Sequence, residues 1–217
     1  MVVARDLSMQ HDLSQALDQI SEIRRQMVRG QMFRGYRAHT TAVTGILALI
    51  SAGIQPLILP RPWLNLPGYL MLWGGLAVVS AAFLACELVI RCRRLSSPLQ
   101  TERTLEAAER FVPALAAGGI VTFVFYRFLT EQMWMMPGLW AIFFSLGLFA
   151  SRTLLPHGIT IVAGYYLMAG CMDLVLTRKP THEFSPWSMA LTFGIGQLMC
   201  AAVLYWNLER KNGRRQA

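Results

Sequence analysis

Apolar residues fall in six long runs along the chain, each closed by polar or charged punctuation. The clearest is GYLMLWGGLAVVSAAFLACELVI at 68–90, inside a stretch with no charge between Arg61 and Glu87. A helix rises about 1.5 Å per residue, so about 20 apolar residues cross a hydrocarbon core of roughly 30 Å. The other runs lie at about 39–59, 111–129, 137–154, 157–176 and 186–207. The pattern predicts an all-α fold: an integral membrane bundle of six transmembrane helices over 39–208.

Residues 1–38 hold no such run, so no signal peptide is expected there, and the segment is predicted to be a cytoplasmic arm. Within it Leu13, Ala16, Leu17, Ile20, Ile23 and Met27 recur at three- and four-residue spacing, one stripe of an amphipathic helix. Arg29, Arg34 and Arg37, interleaved with Phe33 and Tyr36, follow as a basic stretch suited to anionic headgroups. Two readings of the helix stay open: it packs along its own bundle, or it docks a cytoplasmic protein or a second copy. The second makes Leu13, Leu17, Ile20, Ile23 and Met27 contact candidates, together with Arg91, Arg93 and Arg94 after the second span. Residues 209–217 form a basic tail.

Composition agrees with the class. Hydrophobic residues make up 54% and charged residues 15%, below the quarter or so usual in soluble domains. The net charge of +8 would fit nucleic acid, but the basic residues stand at the ends of apolar runs, where membrane topology accounts for them. No direct nucleic-acid contact is expected. With both termini in the cytoplasm, sixteen of the 20 Lys and Arg fall inside; Arg61, Arg127, Arg178 and Lys179 fall outside. That asymmetry predicts an inner-membrane protein with internal termini.

Proline opens three spans, at Pro67-Gly68, Pro137-Gly138 and Pro186-Trp187. This fits either three stacked helical hairpins or the ordinary preference of proline for a helix's first turn. Cys86, Cys171 and Cys200 lie within spans and Cys92 among arginines, so no disulfide framework and no zinc spacing is expected.

Ionisable groups inside a membrane are the first candidates for chemistry. Glu87 is expected to pair with Arg91, and Asp173 to sit near Arg178 and Lys179. An Arg127–Glu131 pair is expected at the outer surface. Tyr165 and Tyr166 fall about mid-span, Asp173 above them, and Gln197 mid-way along the sixth run. These four make either a polar pocket for a lipid headgroup or solute, or interhelical hydrogen bonds that hold the bundle. Gln55 and Thr122 are further partners for the tyrosines. No histidine pair has metal spacing, and no nucleophile elbow or glycine-rich phosphate loop occurs, so neither a metal nor a cofactor is expected.

The runs FRGYRAHTTAVTGILAL (33–49), PGLWAIFFSLGLFAS (137–151) and SPWSMALTFGIGQLMCAAVLYWNLERK (185–211) resemble a family of uncharacterised bacterial six-transmembrane-helix proteins. Their genes often sit beside winged-helix regulators. The resemblance implies a bacterial inner-membrane protein working with a cytoplasmic regulator, and transfers no active residue. Two functions therefore stand side by side: a non-enzymatic regulatory or sensory partner of a cytoplasmic protein, and a permease-like protein binding a small solute or lipid between spans five and six.

Overall fold

The structure, a computed structural model, describes Gln19 and residues 38–94, 98–156, 158–178 and 184–209. The amphipathic stripe from Leu13 to Met27 lies outside these residues. From Ala38 onward the described chain is helical and contains no strand. The helices are α1 (Ala38–Ile58), α2 (Leu66–Arg94), α3 (Pro98–Phe128), α4 (Met136–Ala150) and α5 (Ile159–Leu176). The last span joins α6 (Pro186–Met189), a π-helical segment Ala190–Ile195, α7 (Gly196–Leu204) and a second π segment Tyr205–Glu209. Six helices are long and apolar enough to cross a membrane, the design of a multi-pass membrane protein.

Span limits follow the apolar runs to within a few residues, apart from the start of the fourth. A two-turn 3-10 helix, Thr130–Met135, leads into α4 and lengthens that span to Thr130–Ala150. α2 continues to Arg94 and α3 begins at Pro98, so the basic segment is helical up to Arg94 and again from Pro98. Pro113 therefore lies inside α3 rather than in its first turn. Pro67, Pro137 and Pro186 do occupy first turns, where a missing N–H removes no helical bond. α2 is further fixed by Asn65, whose Oδ1 accepts the Gly68 N–H at 3.0 Å. A Cβ on Gly68 would stand 2.7 Å from the Asn65 amide, so this cap requires glycine.

Consecutive helices are neighbours, and α1 closes the set by packing along the last span. The most extensive contacts are α4 on α5 and α1 on the last span. The loop-linked pairs α1–α2, α3–α4 and α5–last span are each less extensive, so the bundle is not a stack of three hairpins. Backbones meet where side chains vanish: an added Cβ on Gly138 would come within 2.8 Å of the Gly170 carbonyl, and one on Gly170 within 2.7 Å of the Gly138 carbonyl.

Two cores result. One, at the end holding the α1–α2 and α5–α6 connections (the far end), gathers Ala52, Leu59, Tyr69, Trp73, Met133, Met136, Phe184 and Met189. The other lies toward the arginine-rich end that carries residues 91–110 (the basic end). It gathers Ala141, Leu148, Ile159, Val162, Ala163 and Tyr166. α2 joins only the first: none of its residues from Gly74 to Ile90 is buried.

Candidate functional site

The far-end core is built around polar atoms. Gln55, one turn from the end of α1 and fully buried, bridges two elements. Its Nε2 donates to the Phe184 carbonyl at 2.8 Å, and its Oε1 accepts the Trp73 indole N–H at 2.9 Å. Phe184 holds φ 55°, a left-handed conformation that costs a bulky residue about 1–3 kcal/mol. The bond from Gln55 and the edge-on contact of its ring with Tyr69, at 4.8 Å between centroids, keep it there.

Around this bridge stand Tyr69 on α2, Asp173 on α5 and Ser188 on α6. Ser188 donates its hydroxyl to Asp173 Oδ1, and Thr177 bonds back to the Asp173 carbonyl at 2.7 Å. Tyr69 has no exposed surface and Asp173 only 6%. The Tyr69 hydroxyl and Asp173 Oδ2 are nevertheless without hydrogen-bond partners, and the two side chains lie within electrostatic reach of one another. Buried polar atoms are nearly always satisfied, so these two orphans mark the far-end cluster out.

The polar residues read from the sequence are divided among several contacts. Tyr165 donates its hydroxyl to the Leu191 carbonyl at 2.6 Å, within the π-helical segment of the last span. Tyr166 is fully buried, its ring against Phe144 and Phe193 at 4.7 and 5.6 Å between centroids, and its hydroxyl also lacks a partner. Gly196 admits that ring, since an added Cβ would meet it at 2.4 Å. Gln197 belongs to a different face, its Cβ beside Gly45 of α1. Asp173 lies two helical turns from Tyr166 along α5, with Tyr69 and Ser188. Gln55 and Thr122 do not join the tyrosines: Gln55 serves Trp73 and Phe184, and Thr122 accepts the Trp140 indole N–H at 2.8 Å.

Two of the expected charge pairs, Asp173 with Arg178 and Arg127 with Glu131, are not formed among the described residues. Glu87 accepts a bond from Thr40 of α1, and the side chains of Arg91, Arg93 and Arg94 lie outside those described. Arg178 is exposed and not bonded to Asp173, and Lys179 is outside the described residues. Among the described residues the ion pair is Arg110 with Glu106 at 2.5 Å, where Arg110 also donates to Thr153, and not the expected Arg127 with Glu131. No group of three His, Cys, Asp or Glu is placed to hold a metal among the described residues. Between α1 and the last span, at the basic end, runs an open apolar groove of about 380 Å³ lined by Ala38, His39, Ala42, Ala201, Ala202, Tyr205 and Trp206.

Sequence reasoning picked out Asp173 and Gln55 but not Tyr69, Trp73 and Ser188. Tyr69 and Trp73, one turn apart at a span's start, read as ordinary interfacial aromatics. Their spacing from Gln55 carries no signal, because the cluster forms only when four helix ends converge. No protein-family model matches the chain, and no curated protein or solved structure is similar to it.

Proposed function

We propose that this protein is a non-enzymatic, multi-pass partner of a cytoplasmic protein in the bacterial inner membrane, with its basic end and both termini facing the cytoplasm. The observation that carries this reading is the length of the α2–α3 hairpin. α2 has 29 residues and α3 has 31, about 44 and 46 Å at 1.5 Å per residue, against roughly 30 Å of hydrocarbon. About one turn of α2 and three turns of α3 therefore extend past their apolar spans at the basic end. The two helices are joined by three residues, and their basic-end turns carry Arg91, Arg93, Arg94, Glu102, Arg103, Glu106, Glu109 and Arg110. A stiff, mixed-charge stalk of that kind offers a protein a contact that an irregular loop does not. Its placement inside the cell rests on the positive-inside rule.

The solute- or lipid-binding reading, with its pocket at Tyr165, Tyr166 and Gln197, has less support. Tyr166 is packed against Gly196, while Gln197 faces α1. The open groove at Ala38 and Tyr205 is the better lipid contact, and it suits an acyl chain rather than a headgroup.

A photo-cross-linking residue at Thr101 or Thr104 in intact cells should give an adduct with one cytoplasmic protein, and the same residue at Thr130 none. Excising 92–105 should abolish co-purification of that protein while membrane insertion persists. Adducts from Thr130 alone, or co-purification that survives the excision, would overturn the reading.

A further inference from the structure

We propose that the groove between α1 and the last span binds one anionic phospholipid, with an acyl chain along its floor and the phosphate at its rim. The groove lies at the basic end of two helices long and apolar enough to cross a membrane, Ala38–Ile58 and Pro186–Asn207. What fills it there comes from the bilayer, because water along a row of alanines finds too few polar partners. Its make-up suits a chain. Ala38 and Ala201 are buried and form the floor, while Ala42 and Ala202 are half-buried above them. The volume of about 380 Å³ falls within the range of roughly 300–1,000 Å³ usual for ligand sites. Gly45 continues the face of Ala38 and Ala42 at helical spacing. A Cβ there would stand 3.0 Å from the Gln197 Cβ and 3.1 Å from the Gly194 carbonyl, so close helix contact closes the trough toward the midplane.

The rim has a different chemistry. His39, Tyr205 and Trp206 line the groove and are exposed, the last two by 50% and 56%. Tyrosine and tryptophan gather where headgroups meet acyl chains, since each has an apolar body and a polar tip. Tyr205 also opens the π-helical segment Tyr205–Glu209, a rare geometry that is frequent at functional sites. The charge that brackets the rim is positive. Arg37 immediately precedes Ala38, and Arg210 and Lys211 follow Glu209, the acid of that stretch. These three side chains lie outside the described residues, and chain connectivity alone ties them to the groove. Basic pockets between membrane helices select anionic headgroups. The groove belongs to α1 and the last span and not to the α2–α3 stalk, so a lipid held in it is independent of any partner of the stalk.

Native mass spectrometry of the full-length protein, mixed in mild detergent with equal amounts of phosphatidylglycerol and phosphatidylcholine of matched chains, tests this. One phosphatidylglycerol should be retained about tenfold better than phosphatidylcholine, as expected of one or two basic residues beside a headgroup. Ala42→Leu combined with Ala202→Leu fills the trough and should cut retention of both lipids about tenfold. The melting temperature in lipid-free detergent shows whether that variant is folded. Trp206→Ala, at an exposed position, should weaken both lipids as well, and carries the test if the double variant does not fold. Replacing Arg37, Arg210 and Lys211 together by Gln should abolish the preference for phosphatidylglycerol and leave phosphatidylcholine retention in place. Equal retention of the two lipids by the wild type would overturn the proposal, and so would a preference that survives these variants. A dimer free of lipid would give the groove to a second copy and overturn it too.

Discussion

The far end of the bundle and the basic-end half of α2 are equally greasy in sequence and opposite in structure. At the far end α1, α2, the Thr130–Met135 turn and α6 close over Tyr69, Trp73 and Met136. From Gly74 to Ile90 the same α2 buries no side chain, and Met71, Val78 and Val79 turn outward. Leu66–Ile90 is the most apolar of the six spans yet has only 6% of its window buried, against 44% for the less apolar Pro186–Asn207. In a bilayer, lipid is as good a solvent for leucine as a protein core is, so hydrophobicity does not direct a side chain inward. Small and polar side chains do: Gly138, Gly170, Ser145 and Gln55 lie inside, and the valines of α2 outside.

The sharpest way to break this contrast is to add a methyl group on each side of it. Gly138→Ala would drive a Cβ to 2.8 Å from the Gly170 carbonyl, a backbone atom that cannot turn aside. Overpacking of this kind costs about 1–3 kcal/mol, and the upper part of that range is expected here. Gly75→Ala meets no atom within 4 Å, and should range from neutral to about 1 kcal/mol stabilising through helix propensity. Reversible denaturation in mixed micelles measures both. Equal effects would mean that the basic-end half of α2 is packed after all.

Next in size is Gln55→Leu, which leaves the buried Trp73 N–H without an acceptor and releases the Phe184 carbonyl. About 2 kcal/mol of lost stability is expected from two broken bonds and one buried orphan donor. A double-mutant cycle with Trp73→Phe should return a coupling of about 1 kcal/mol, and additive losses would show that the bridge does not link α1 to α2. Ser145→Ala, which removes a 2.7 Å bond to the Ala163 carbonyl within the α4–α5 contact, should cost about 1 kcal/mol by the same measurement.

How much of this was legible follows from the range of each signal. The spans could be read because a helix crossing lipid satisfies its own backbone, so its signal lies in consecutive residues. The long hairpin was half legible: Thr104 to Arg110 reads as helix-prone, but nothing marks α2 and α3 as continuous through their charged turns. The far-end site was least legible, because Gln55, Tyr69, Trp73, Asp173 and Ser188 come from four helices, and pairing across 129 residues, as from Gln55 to Phe184, leaves no periodicity. Asp173 was visible as an intramembrane acid, but Arg178, the nearest described cation in sequence, is not its partner. Helix phase decides the matter: Ser188 of α6 meets the carboxylate, while Arg178 points to the surface.

The smallest effect is the most discriminating for the other half of the comparison. Val78 is 69% exposed on α2, so Val78→Ala should change stability by less than about 0.5 kcal/mol, the range of a surface substitution. Truncating a side chain packed against protein creates a cavity and costs more, and in a membrane helix the loss depends on what faces it. A loss of 1 kcal/mol or more, growing with the ratio of protein to lipid, would mean that a second copy covers this face. A small loss that is independent of that ratio would mean that lipid does. α2 would then be held by Tyr69 and Trp73 at the far end and by the bond from Thr40 to Glu87 near the basic end, with lipid along its valine face between them.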